Sequence, residues 1–183
     1  MSKMLMFVAI IVLIIVITIV YQNRFVTLHE RVKNAWSQID VQLQKRLDLI
    51  PNIVESVKGY ATHEKETLEA VTFARNRYFS ATDTEEKMKI NGEISGILGR
   101  LMAVSESYPD LKANANFLDL QRQLKEIEDK IEFARQFYND TVTAYNTAIK
   151  MFPGSIFAGI FRYKEENLFS AEEGAKKAPK VSF

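Results

Sequence analysis

Side chains able to do acid–base or metal chemistry are scarce in this chain. Its 183 residues include no cysteine and two histidines, His29 and His63. Each histidine is followed by a glutamate, but neither opens an H-E-x-x-H, so the helix-borne zinc-protease pattern fails. A metal site would need both histidines and carboxylates gathered from separate helices; solvated or capping histidines are the simpler reading. Carboxylate di-iron bundles use Glu-x-x-His pairs. Here neither Val26–His29 nor Tyr60–His63 carries the glutamate. Gly92–Gly96 lies inside a helical pattern and lacks the lysine of a phosphate-cradling loop. No nucleophile–base set has a local signature. The expectation is therefore a protein that is not an enzyme, with no catalytic residue, no cofactor-binding residue and no metal ligand.

Composition points the same way. Lys and Arg number 24 against 23 Asp and Glu, for a net charge of +1. The cations do not gather along one face, so no nucleic-acid footprint is expected. Nor is a small-molecule substrate evident. Seven glycines and four prolines leave long stretches without a breaker. Apolar residues recur at three- and four-residue spacing, and no segment alternates for long enough to argue a strand. The absence of cysteine suits a reducing compartment and an oxidising one equally.

The elements that would position any site begin with Met4–Tyr21, MLMFVAIIVLIIVITIVY, an uncharged run. As a helix it would extend ~27 Å, close to the ~30 Å hydrocarbon core of a bilayer. Val and Ile make poor helices in water, but in lipid a helix satisfies every backbone amide. The hydroxyl of Thr18 can bond back to a carbonyl one turn earlier. A cleaved signal peptide would have a shorter apolar run ending in small residues, whereas this one ends Tyr21-Gln22-Asn23-Arg24. A buried core helix would need a partner for an apolar surface on all sides. The run is therefore expected to be a transmembrane anchor, after a short segment 1–3. Lys3 precedes it and Arg24, Arg31 and Lys33 follow, so the positive-inside bias places the N-terminus outside and the larger part in the cytoplasm, at the cell membrane.

Beyond the anchor, residues 22–154 read as a helical bundle domain. Leu28, Val32, Ala35, Ile39, Leu43, Leu47, Ile50, Val54 and Val57 form one stripe, with Trp36 beside it. No breaker separates this helix from the anchor. Pro51 is expected to kink it or restart it near Asp48, and Gly59 to end it. Thr62 is the expected cap of a second helix that stops near Ser80, and Thr82 with Glu85 fits a capping box for a third. Gly92, Gly96 and Gly99 on that third helix would let a neighbour pack closely. Tyr108–Pro109 breaks it, and Asn114 or Asn116 would cap a long fourth helix, Phe117 to Phe152. That helix follows a heptad, as in a coiled coil, with one slip at Tyr138 that would locally unwind a supercoil. Pro153–Gly154 ends it. The fold class is thus all-α: an N-terminal transmembrane helix followed by an antiparallel up-and-down bundle of about four long helices. Residues 155–183 form a C-terminal tail that folds back on the bundle or meets the membrane surface or another subunit through Ile156, Phe157, Ile160 and Phe161, with Lys176, Lys177 and Lys180 near its end.

Ala74–Tyr78 and Ala134–Tyr138 look alike, and in both an arginine adjoins the apolar stripe. Arg75 and Arg135 are expected to be partly buried. Such charges need acidic or carbonyl partners, and Asp40 and Asp48 are candidates.

Three segments, Ala35–Leu43 (AWSQIDVQL), Arg46–Asn52 (RLDLIPN) and Val57–Glu64 (VKGYATHE), resemble the signature of the bacterial LemA family. Tyr108–Asn114 with Asn116-Phe117, and Ala134-Arg135 with Tyr138-Asn139 and Tyr145-Asn146, are similar too, as are Ala171–Gly174 and Ala178–Phe183. The resemblance spans essentially the whole chain. It implies a short extracytoplasmic N-terminus, one span and a cytoplasmic bundle of about four helices, and no established enzymatic activity. The expected function is a single-pass membrane-anchored bundle acting as an interaction or scaffold module. Its partners would be membrane lipid through the anchor and a protein partner or a second copy. The alternative is a membrane-associated sensor or signalling accessory protein, with motion passed through Pro51.

Overall fold

The computed structural model describes residues 2–60 and 64–169. Six helices, and no strand, occur among the described residues: α1 Ser2–Lys58, α2 Lys65–Ser80, α3 Thr84–Ser105, α4 Pro109–Lys112, α5 Ala115–Lys150 and α6 Gly154–Phe161. The fold is an all-α helical bundle preceded by a long apolar helix, as the periodicity predicts. The chain divides into two compact units. One comprises Met1–Gln38 and Ala134–Leu168; the other comprises Ile39–Phe133, joined by Phe169. Helices α1 and α5 contribute to both.

In the second unit, hydrogen bonds fix helix directions. Tyr78 of α2 bonds to Asp40 of α1, and Arg75 bonds three residues earlier on α2 but seven later on α1, at Leu47. Helix α2 therefore runs antiparallel to α1. On α3, Lys87 meets Asp40 and Ser95 meets Arg46, so α3 runs parallel to α1. On α5, Asn114 meets Tyr60 and Glu128 meets Arg46, which is antiparallel again. This up-and-down order encloses Leu43, Ile50 and Ile53 of α1, Val71 of α2, Ile90 and Ile94 of α3, and Phe117 and Ile131 of α5.

Several local expectations are revised. Helix α1 continues through Pro51 with no restart at Asp48. The ring removes the amide that would bond the Leu47 carbonyl. Arg75 Nε supplies the missing donor, at 3.0 Å from the Leu47 oxygen. Ile50 and Ile53 beside the proline are both buried. The cap of α3 is Asp83, whose side chain accepts from the Glu86 amide at 3.1 Å, and not Thr82. Asn114 caps α5 through the Phe117 amide at 3.0 Å, so Asn114 and not Asn116 fills that role. Gly96 and Gly99 face open space, since an added Cβ would meet nothing within 4 Å. They do not mark a close helix contact. The expected Thr62 cap, His63 and the tail lysines Lys176, Lys177 and Lys180 lie outside the described residues.

In the first unit, Trp36 meets Tyr138 edge-on at 6.0 Å and His29 approaches Tyr145 at 5.5 Å, so α5 again runs antiparallel to α1. Thr18 Oγ1 donates to the Ile14 carbonyl at 2.7 Å, the back-bond expected of it. Helix α5 ends at Lys150, leaving Phe152 exposed instead of closing the stripe. After Pro153 the chain forms α6, which the breaker pair Pro153–Gly154 concealed. Residues 163–168 then fold back along α5: Tyr145 donates to the Lys164 carbonyl at 2.9 Å and Tyr138 to the Asn167 carbonyl at 3.1 Å. Asn146 clamps residue 166 twice, donating to its carbonyl and accepting from its amide.

Candidate functional site

Two places in the structure concentrate polar or unusual chemistry, one in each unit. In the second unit the largest fully buried side chain is Arg46, 2% exposed. An unpaired guanidinium there would be prohibitively costly. Arg46 Nη1 donates to Ser95 Oγ and to Glu128 Oε2, each at 2.9 Å. Its Nη2 meets both the backbone carbonyl and the side-chain oxygen of Asn91, itself buried. The cluster ties α1, α3 and α5 together and sets their register. A cavity of about 360 Å³ opens beside it, lined also by Met102, Gln121 and Lys125. Both terminal nitrogens of Arg46 are directed at protein acceptors, so the cluster reads as a structural tie.

Two turns of α1 away, Asp40 gathers three donors. Tyr78 Oη lies 2.7 Å and Lys87 Nζ 2.9 Å from Oδ1, while Gln44 bonds Oδ2 at 2.9 Å. Burial opposes charge on Asp40, but these bonds outweigh it and hold its carboxyl below the usual range. The same arrangement, with burial as the larger cause, pushes the Tyr78 phenol far up. The Tyr78–Asp40 hydrogen bond ties α2 to α1. Asp40 was a candidate partner for Arg75; that arginine instead takes the Leu47 carbonyl and lies over the Phe79 ring at 5.0 Å. Asp48, the other candidate, is exposed. Arg135 is half-buried, as expected.

A groove of about 740 Å³ lies between α1 and α2, lined by Val54, Leu68 and Phe73 with Lys58 and Lys65. It holds no convergent acid–base set. Among the described residues no three His, Asp or Glu side chains stand close enough to hold a metal ion. His29 Nδ1 lies 3.4 Å from a Glu166 carboxylate oxygen, a contact that becomes an ion pair on protonation.

The unusual chemistry of the first unit is apolar. The long window at the start of α1 has a mean hydropathy of 3.2 and none of it is buried within the protein. A core helix would be covered; this one is exposed from Met4 to Val16 and again at Ile19 and Val20, with only Ile17 and Thr18 half-buried between them. It is long and apolar enough to cross a membrane. Where the bare stretch ends, α6 packs against it. The rings of Tyr21 and Phe157 stack at 4.9 Å and 12°, and Tyr163 meets Phe25 edge-on at 5.2 Å. Gly154 permits the approach, because a Cβ there would lie 2.5 Å from the Ala148 carbonyl and 3.5 Å from the Tyr21 ring.

Sequence reasoning missed Arg46 and α6. A strict alternation of four- and three-residue steps along α1 passes through Ile39, Leu43, Arg46, Ile50, Ile53 and Val57, all buried. Arg46 thus occupies a core position of a heptad, and Ile53, not Val54, is its apolar neighbour.

Known proteins resemble this chain. The chain is 28% identical over 132 residues to Protein LemA of Metamycoplasma hominis, covering 72% of this chain and 60% of that one. It is 27% identical over 186 residues to Magnetosome protein MamQ 2 of Paramagnetospirillum magneticum, covering 87% and 68%. To Magnetosome protein MamQ of Magnetospirillum gryphiswaldense it is 25% identical over 173 residues, covering 80% and 64%. The chain therefore spans about three-fifths to two-thirds of the length of these relatives. The model of the LemA family matches residues 35–183, most of the sequence, and the chain belongs to the LemA family.

Proposed function

We propose that this chain is a single-pass membrane-anchored helical protein that works as an interaction or scaffold module at the membrane, not by catalysis. One observation carries the reading: an apolar helix of mean hydropathy 3.2 that the protein leaves wholly uncovered. Nothing but a bilayer satisfies a surface of that size without a protein partner. The buried polar groups of the second unit support the non-catalytic half. Arg46 and Asp40 are held by several partners each, in arrangements that fix register. In this reading Arg24, Arg31 and Lys33 keep the larger part of the chain in the cytoplasm.

Alkaline carbonate treatment of native membranes tests the anchor: the full chain stays in the pellet, and release into the supernatant refutes the reading. Protease added to intact spheroplasts tests the orientation; digestion of the bundle from outside would reverse it. Crosslinking in native membranes followed by mass spectrometry tests the scaffold role, which predicts a stable homo-oligomer or a fixed partner. The second reading, a membrane-associated sensor, is favoured by the continuity of α1 from the apolar stretch through Pro51. It predicts crosslinked partners that change with stimulus.

A further inference from the structure

We infer that α6 is a second membrane contact, a short apolar helix that lies in the leaflet surface where α1 leaves the bilayer. The inference rests on the proposed anchor. Helix α6, Gly154–Phe161, carries no charge and presents two different faces. Gly154, Phe157 and Ala158 turn inward, with Phe157 stacked on Tyr21 and Gly154 against the Tyr21 and Phe25 rings. Ile156 and Ile160, at four-residue spacing on α6, turn outward, and Met151 and Phe152 just before the helix are exposed as well. Phe152 is 80% exposed, Ile160 66% and Ile156 53%. So dense an apolar face on a helix of eight residues marks a contact surface.

The position names the occupant. Tyr21 is the last residue of the uncharged run, so once that run spans the bilayer its ring stands at the boundary between acyl chains and headgroups, where tyrosine is favoured. Whatever stacks on Tyr21 stands at that boundary too. The outer face of α6 is then continuous with the lipid-facing surface of α1 and meets the same solvent. Arg24, one turn beyond Tyr21, and Arg162, which ends α6, are both exposed and stand at headgroup level. An exposed apolar face with cations beside it at headgroup level is favoured against anionic lipid. A lipid surface therefore fits better than a second copy, which would have to cover the face beside the membrane without disturbing the span.

The chain has no cysteine, so single labels are straightforward. Full-length Ile156→Cys, Ile160→Cys, Val12→Cys and Lys130→Cys, each carrying an environment-sensitive fluorophore, are reconstituted into phosphatidylcholine–phosphatidylglycerol vesicles. Bromine is placed on the upper acyl chains in one set of vesicles and near the chain ends in another, each label is read in both, and far-UV circular dichroism checks that each variant is folded. Labels at 12, 156 and 160 should be quenched several-fold more than the label at 130. If 12 is quenched while 156 and 160 behave like 130, the inference is overturned and the anchor stands. If 156 and 160 give blue-shifted emission without bromine quenching, another protein surface covers α6, and the inference is overturned in favour of a second copy. If 12 itself is unquenched, the anchor fails and α6 loses its reason to be at a membrane.

Discussion

The passage of α1 through Pro51 depends on one arginine, and a double-mutant cycle can measure it. Proline inside a helix removes the bond to the carbonyl four residues back and costs roughly 3 kcal/mol. That carbonyl belongs to Leu47, and Arg75 Nε approaches it at 3.0 Å while the guanidinium lies 5.0 Å from the Phe79 ring centre. Arg75→Met keeps most of the aliphatic stem and removes the donor. Arg75 is half-buried, so its hydrogen bond is worth the lower part of the range for a charged donor, about 1.5–2 kcal/mol, and a partly exposed cation–π contact about 0.5–1 kcal/mol. Arg75→Met should therefore destabilise the protein by roughly 2–3 kcal/mol. In a Pro51→Ala background the alanine amide takes the Leu47 carbonyl, so the same substitution should lose only the contact with Phe79, about 0.5–1 kcal/mol. The coupling between the two sites is then about 1.5–2 kcal/mol. Urea unfolding of the full chain in non-ionic detergent, followed by far-UV circular dichroism, gives the four stabilities. Additive effects, with coupling below about 0.5 kcal/mol, would refute the claim that Arg75 replaces the missing amide.

Other consequences are simpler to check by the same unfolding assay. Gly96→Ala and Gly99→Ala should each stabilise α3 by roughly 0.5–1 kcal/mol, because an added Cβ meets nothing within 4 Å. Gly154→Ala should destabilise by about 1–3 kcal/mol, since its Cβ would press on the Ala148 carbonyl, part of the backbone. Trp36 is half-buried against Tyr138, so Trp36→Ala should cost ~2 kcal/mol, below the full penalty for a buried ring. Burial, aided by the charge of Glu166, pushes the Tyr138 phenol up to about 12. Its contribution is complete below the ordinary phenol value of about 10 and is lost as pH rises from there to the folded value, because the unfolded chain ionises first. The wild type should lose up to roughly 2–3 kcal/mol over that window that Tyr138→Phe does not lose.

Much of this architecture can be read from the spacing of apolar residues, and the failures have definite causes. The stripe along α5 found that helix to within a few residues, because Asn114 and Pro153 punctuate it. A stripe of apolar residues alone takes three consecutive four-residue steps along α1, Ala35 to Leu47, which step over Arg46 and then select Val54 in place of Ile53. A charged residue carries no hydrophobic weight, so a core position filled by Arg46 is invisible to a periodicity that counts only apolar side chains. The partners that make its burial tolerable, Asn91, Ser95 and Glu128, lie on other helices. Arg75 was legible as half-buried but not its partner, because a backbone carbonyl freed by a distant proline has no signature in the sequence around the arginine. Helix α6 was hidden differently. At eight residues it is too short to show a period, and it follows a proline that reads as an end.

These misses have one thing in common that bears on function. Arg46 and Arg75 are cations moved off the surface, and each is answered by groups that hold helices in register: three acceptor residues for the first, a main-chain oxygen for the second. Polar chemistry inside the second unit is thereby committed to alignment. Apolar chemistry in the first unit goes the opposite way, with the start of α1 and the outer face of α6 left uncovered beside each other. A soluble protein that could afford well-satisfied buried arginines would have little reason to leave those surfaces bare. The two features make sense together if the bilayer is the missing packing partner: the interior is locked by hydrogen bonds so that helix order survives, and the uncovered apolar surface is where the protein meets its solvent.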